Sequence, residues 1–262
     1  MVQTQVGTKK HQQRSRAWRL KFKLGIALLS VFIFHLKTPL PMNYEQARFN
    51  MIEQQIRPWE VLDSQVLALL AVIKREDFVP TAYKALAFAD MEIPLASPQQ
   101  PGQCMLSPKV EARILQDLAL QKHEKVLEIG TGSGYMAALL GHRAQQVVSL
   151  EINPGLAQTA RGNLQKAGIY NAEVRTANGA DDHQSHDLFD AIVLSGSVAE
   201  VPARLLELLK VGGRLSAIVG DEPVMRATLV TRVGDAAWRT TQALDTVAPR
   251  LLGFAEPSRF SF

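Results

Sequence analysis

Three glycines at alternate positions, Gly130, Gly132 and Gly134, stand directly behind the apolar, acid-containing run Val126-Leu127-Glu128-Ile129. Glycine loses more conformational freedom on folding than any other residue, so three within five positions imply a backbone that turns sharply and lies bare against a ligand. The apolar segment Met136 to Leu140 follows. Strand, tight turn and helix in that order bring the first helical amides to an anionic or zwitterionic cofactor. A second carboxylate, Glu151, closes the next apolar run, Val147 to Glu151, 17 residues beyond Gly134. Nucleotide-binding folds place an acid near that distance on the ribose hydroxyls. Nicotinamide, flavin and S-adenosylmethionine (SAM) sites all use a loop of this kind.

Three further groups have side chains capable of chemistry. Ser107 precedes Pro108, which reads either as a helix N-cap with proline at the first helical position or as a hydroxyl facing a substrate or cofactor carboxylate. Cys104 is the single cysteine. It excludes an intramolecular disulfide, suits a reducing compartment, and reads as a buried small hydrophobe before a reactive thiol. The cluster Asp181-Asp182-His183-Gln184-Ser185-His186-Asp187 reads as a solvated loop, and no metal site is expected from it.

The elements that must position these groups follow from periodicity. Ahead of the glycines, Asn43 to Arg57 is expected to be a helix stopped by Pro58. Ser64 to Ile73 is a second helix capped by Asp63, and a third begins at Ser107 with Val110, Ile114, Leu115 and Leu118 on one face. A proline- and glutamine-rich loop, Ser97 to Gln103, separates the second and third. After the glycines, strands are expected at 147–151, 172–176, 189–194 and 215–219, with helices at Pro154 onward and Pro202 to Leu209. Ala227 to Val233 and Thr240 to Leu244 read as a further hairpin, and Pro249 to Phe254 as a segment closing one edge. This alternation predicts an α/β fold: a Rossmann-like, doubly wound, mostly parallel seven-stranded sheet with helices on both faces and an N-terminal helical preface.

Hydrophobic residues at 47% and charged residues at 21% give a globular balance. The formal charge of +4 reflects 29 basic against 25 acidic residues. Eight of those basic residues and no acid lie in the first 41 positions, so the remainder carries 21 against 25. A mildly acidic body without a basic-aromatic stripe argues against nucleic-acid binding. Leu24 to Phe34 is an eleven-residue apolar run, shorter than the roughly 20 residues a spanning helix needs. Residues 1–41 are therefore expected to stand outside the fold, with Met42 as the working start and a membrane-surface anchor or signal as the other reading. The domain expected is 42–262, with preface and substrate-side loop at 42–108 and the Rossmann-like core at 109–262.

The spacing is G-x-G-x-G, where a nicotinamide site prefers G-x-G-x-x-G. With Glu128, Glu151, FDAIV at 189–193 and KVGGRL at 210–215, it resembles class I SAM-dependent methyltransferases. The segment from Met42 to about Phe254 further resembles the protein-L-isoaspartate O-methyltransferase family. That likeness is carried by Gln54-Gln55-Ile56-Arg57, REDFVP at 75–80, ADMEIP at 89–94, Gly102-Gln103, VLEIGTGSGY at 126–135 and Glu200-Val201-Pro202. The resemblance implies SAM as the methyl donor and L-isoaspartyl carboxylates of damaged proteins or peptides as the acceptor. It implies that Gly130, Gly132 and Gly134 hold the methionine end, Glu151 the ribose and Asn178 the adenine; Glu128, Thr131 and Gly179 fall in the same motifs and are assigned to cofactor binding too. A cytoplasmic, monomeric enzyme without firm membrane association is expected.

The sequence departs from the family pattern at two points. The family continues Gly-Gln with Thr-Ile-Ser, one residue, then Pro; here Cys104-Met105-Leu106-Ser107-Pro108 puts cysteine at the threonine position and Leu106 at the serine position. Ser107 comes one residue late, about 100° around a helix start. Ser107 and Cys104 are accordingly the candidate catalytic groups. Asn178-Gly179 replaces Asp-Gly, and an amide still donates and accepts hydrogen bonds. Two alternatives stay open: a methyltransferase for another acceptor, and a non-catalytic SAM-binding protein.

Overall fold

In the computed structural model the described residues are 42–95, 102–181 and 187–256. Their centre is a seven-stranded sheet built from β3 (Lys125–Ile129), β4 (Gln146–Glu151), β5 (Ala172–Thr176), β6 (Phe189–Val198), β7 (Leu209–Asp221), β8 (Val224–Gly234) and β9 (Ala237–Thr246). The order is β5-β4-β3-β6-β7-β8-β9. The first five strands are parallel, and β8 and β9 add an antiparallel meander. The expected hairpin is therefore present, and longer at both ends than its apolar cores indicated.

Side-chain alternation along the strands divides the core in two. Val126, Val147, Ala191 and Val193 pack on one face, with α2 (Ser64–Val72), α3 (Pro108–Leu118), α4 (Tyr135–Arg143) and α5 (Pro154–Lys166). Leu127, Val148, Ile192 and Leu194 pack on the other, with Leu205 of the short helix α6 (Ala203–Glu207) and with Leu251 and Phe254. A period of two in strands buried on both faces requires this split.

Four expectations need correction. The first helix, α1 (Tyr44–Met51), does not run to Arg57; a wider turn at Ile52–Ile56 and a tighter one at Arg57–Trp59 follow. Pro58 has no N–H to donate and crowds the preceding turn, so the helix relaxes before it reaches the proline. Second, KVGGRL is not a turn ahead of a strand: β7 begins at Leu209 and carries the glycines as a bulge, the three β6 residues Phe189 to Ala191 standing against the six from Leu209 to Arg214 on β7. Third, the helix expected over Pro202–Leu209 is only Ala203–Glu207. Fourth, Pro249–Phe254 closes no sheet edge; Leu251 N–H donates to Ser197 O and Ser197 N–H to Pro249 O, which lays the segment across the carboxyl end of β6.

Two short strands, β1 (Ile93–Pro94) and β2 (Cys104–Met105), pair antiparallel. Residues 97–101 of the expected proline- and glutamine-rich loop lie outside the described residues, as do 182–186 of the acidic-histidine cluster and all of 1–41.

Candidate functional site

The carboxyl ends of β3, β4 and β6 open into a cleft of about 570 Å³, its solvent mouth included. Gly130 and Gly132 form its floor, Glu151 and Ile152 one side, and Ala177 and Gly179 the far end. Gln103 and Cys104 from the β1–β2 ribbon stand opposite, and Leu251 and Leu252 of the crossing segment cover it. Ligand sites in open α/β sheets lie at this end of the strands, where the connections diverge.

The floor explains the glycines. Gly130, Gly132 and Gly134 have φ of 95°, 54° and 86°, a region that costs other residues about 1–2 kcal/mol each. A Cβ at Gly130 would come 2.8 Å from Leu251, and one at Gly132 would come 3.0 Å from Leu95. Gly134 serves packing instead, since a Cβ there would press on Ala160 of α5 at 3.3 Å. The nearly buried Glu151 carboxylate spans the loop: Gly132 N–H donates to Oε2 at 2.8 Å and Asn153 N–H to Oε1 at 2.9 Å. A carboxylate has about four acceptor positions, so ribose hydroxyls can be bound as well.

Glu128 lies beneath the floor rather than on the cleft wall. It is fully buried, with Ser149 Oγ donating at 2.6 Å and Ser195 Oγ at 2.9 Å. Thr131 Oγ1 meets Ser149 Oγ at 2.5 Å, so its hydroxyl also faces inward. Burial pushes the Glu128 carboxyl up to about 8, against the pull of the two serine hydroxyls, with Glu151 adding to the rise. Glu128 thus enters folding as a protonated or proton-sharing brace for the glycine turn. Ser195 does reach the cleft: the five β6 residues Val193 to Ser197 stand against only Ser216 to Ile218 on β7, and this bulge re-aims the backbone at the strand end.

A second, smaller recess shares Cys104, Gly130, Gly132 and Ser195 with the main cleft and adds Leu106, Glu111, Thr131 and Tyr135. Burial, with Glu92 beside it, pushes the Cys104 thiol up to about 12; the thiol donates to the Glu92 carboxylate and stays protonated at neutral pH. Leu106 is buried in the core, its carbonyl held by Arg75. Ser107 is the residue before α3, but its hydroxyl makes no cap bond and it lines neither recess; only its carbonyl serves the helix, accepting from Val110 and Glu111. Asn178 folds back on its own turn, accepting from Ala180 N–H and donating to Asp181, while its neighbours Ala177 and Gly179 form the cleft wall.

Of the predicted residues, the fold therefore brings Cys104, Gly130, Gly132, Glu151 and Gly179 onto the wall of one cleft, with Thr131 at the adjoining recess. Glu128, Gly134 and Asn178 support that wall, and Ser107 stands apart. Sequence reasoning passed over Ser149 and Ser195 as partners of Glu128, and Leu95 and Leu251 as the apolar cover. Among the described residues no cluster of three His, Cys, Asp or Glu could hold a metal ion.

Comparison with known proteins gives a consistent set of likenesses. A family model described as Protein-L-isoaspartate(D-aspartate) O-methyltransferase matches residues 46–247. Protein-L-isoaspartate O-methyltransferase 1 of Syntrophobacter fumaroxidans is 40% identical over 189 residues, covering 72% of this chain and 86% of its own. The Protein-L-isoaspartate O-methyltransferase of Syntrophus aciditrophicus is 36% identical over 192 residues, covering 73% and 86%. Among solved structures, a Plasmodium falciparum chain assigned to that enzyme class, in complex with S-adenosyl-L-homocysteine, superposes with a TM-score of 0.64 at 18% identity, over 80% of this chain and 99% of that one. Another, described as protein-L-isoaspartate O-methyltransferase, gives 0.65 at 22% identity over 78% and 66%. At those identities the structural likeness concerns the fold.

Proposed function

The chain belongs to the protein-L-isoaspartate(D-aspartate) O-methyltransferase family, and from that premise we propose that it methylates the free α-carboxylate of L-isoaspartyl residues in damaged proteins, with SAM as donor. The observation that carries the reading is the juxtaposition in the cleft and its adjoining recess: a glycine floor where an added Cβ would press on Leu251 or Leu95, the Glu151 carboxylate bridging it, and the Cys104–Leu106 wall. The residues present fit SAM: Gly130 and Gly132 would accommodate its methionine end, Glu151 its ribose, and Ala177 and Gly179 its base. When bound, SAM supplies an electrophilic methyl group on a sulfonium.

The acceptor carboxylate is ionised at neutral pH, so no residue has to remove a proton from it. What the chain must do is align it and take away its water. Leu95, Ile129, Leu156 and Leu251 make much of the cleft lining apolar. Opposite charges on donor and acceptor vanish as methyl transfers, and a water-poor site with fixed dipoles favours that loss of charge. The Cys104–Leu106 wall and Ser195 are the groups placed to position the acceptor. Ser107 is given no direct role here, since its side chain faces neither recess. The buried Leu106 at the family's serine position favours a second reading, a changed acceptor on the same donor site.

No helix among the described residues is long and apolar enough to cross a membrane. We place the working enzyme in the cytoplasm as a monomer acting on damaged protein substrates, with residues 1–41 outside the catalytic unit. Incubation with methyl-labelled SAM and an isoaspartyl peptide should deposit base-labile label on the peptide. Tight SAM binding without label on any peptide would instead support the non-catalytic reading.

A further inference from the structure

One fully buried cation joins the acceptor wall to the glycine loop, and the chemistry above does not use it. Arg75 has no solvent exposure. Its Nε donates to Ala87 O at 3.0 Å, Nη1 to the Glu111 carboxylate of α3, and Nη2 to Leu106 O at 2.7 Å. Its guanidinium lies 5.0 Å from the centre of the Tyr135 ring. Tyr135 is the first residue of α4, immediately after Gly134, and its buried hydroxyl has no hydrogen-bond partner among the described residues. A single planar fork therefore touches the preface, the acceptor wall, α3 and the first turn after the glycine loop. Guanidinium presents five donors in fixed directions, whereas an ammonium on a flexible stem cannot meet three acceptors and an aromatic face together.

We propose that Arg75 is a positioning residue: by holding the Leu106 carbonyl against the Tyr135 end of the glycine loop, it sets the distance between acceptor wall and donor floor. Glu111 keeps the guanidinium in register, since burial without a counter-charge would be strongly unfavourable. The proposal rests on the acceptor role given above to the Cys104–Leu106 wall. A misplacement of about 1 Å in such a wall can cost up to about 100-fold in catalytic efficiency toward the acceptor.

The full chain carrying Arg75→Lys tests this against wild type with three readouts. Cys104 is the single cysteine, so its rate of reaction with a small maleimide reports how often the wall opens. Labelling is expected to accelerate about tenfold and the KM for an isoaspartyl peptide to rise about tenfold, while the SAM Kd from calorimetry stays within about threefold. An unchanged labelling rate with unchanged KM overturns the proposal; so does a SAM Kd that rises in step with KM, because that marks a general loosening. Labelling needs no peptide, so if wild type fails to methylate isoaspartyl peptides the acceptor reading fails separately and the labelling rate still decides the clamp. If Arg75→Lys does not fold, Glu111→Gln, which keeps an acceptor of the same shape, takes its place: labelling about threefold faster at constant SAM Kd supports the clamp, and an unchanged rate overturns it.

Discussion

At the scale of single residues, two buried acids carry opposite duties. Glu151 is fixed by two backbone amides and faces the cleft, so Glu151→Ala removes both the group proposed to accept from ribose and the tie to Gly132. Calorimetry should show SAM affinity weakened at least about tenfold, and unchanged affinity would mean that ribose is bound elsewhere. Glu128 faces inward, with its carboxyl raised to about 8 from 4.5. Between those values the folded chain holds more protons than the unfolded one, so this group's contribution to stability is complete at low pH and is lost as pH rises toward 8. The loss is at most about 1.4 kcal/mol per pH unit. Urea unfolding between pH 5 and 8.5 should show that downward slope in wild type and a flatter one in Glu128→Gln, with Glu111, also raised by burial, supplying the remainder. An equal slope in both would contradict the account. The place of Glu151 on the cleft wall was legible because an acid ending a strand beside the glycine loop falls at the carboxyl edge of the sheet; the inward role of Glu128 was not, because its partners Ser149 and Ser195 are 21 and 67 residues away.

Legibility of whole elements followed the strength of the pattern. The inner parallel strands were readable because burial on both faces demands apolar runs, as in β3 and β4. The edge strand β5, with only Val174 buried, also occupies the predicted residues 172–176. Bulges were not, since KVGGRL contains the glycines of a turn and only pairing with β6 shows that the strand runs through them. The cover at 249–254 has no periodicity, so nothing in its sequence said that Leu251 would lie on Gly130. The turn after β5 offers a test at this scale. A Cβ on Gly179 would sit 2.3 Å from Ile129 Cγ2, a side chain buried in β3. Gly179→Ala should therefore destabilise the chain by about 1–3 kcal/mol and weaken SAM binding, whereas a neutral effect on denaturant midpoint would show that the turn can move away.

For the molecule as a whole, donor and acceptor halves were not equally readable. The donor half is local, a loop and an acid within 22 residues, and its motifs name its ligand. The half proposed to take the acceptor is assembled from segments far apart in the chain, with Arg75 reaching 31 residues to Leu106 and 36 to Glu111, and its wall departs from the family pattern at Cys104 and Leu106. The unit that carries the sheet begins at Tyr44. A chain starting at Met42 is accordingly expected to fold and to bind SAM as the full chain does, and loss of binding would assign residues 1–41 a part in the site. The central claim is acceptor chemistry, and the most direct measurement compares two peptides identical except for one linkage, isoaspartyl against normal aspartyl, under single-turnover conditions with saturating SAM. The account predicts transfer to the isoaspartyl peptide at least about 100-fold faster, a difference of about 2.7 kcal/mol in barrier. Equal rates on the two peptides, or transfer to neither while SAM is bound, would contradict it.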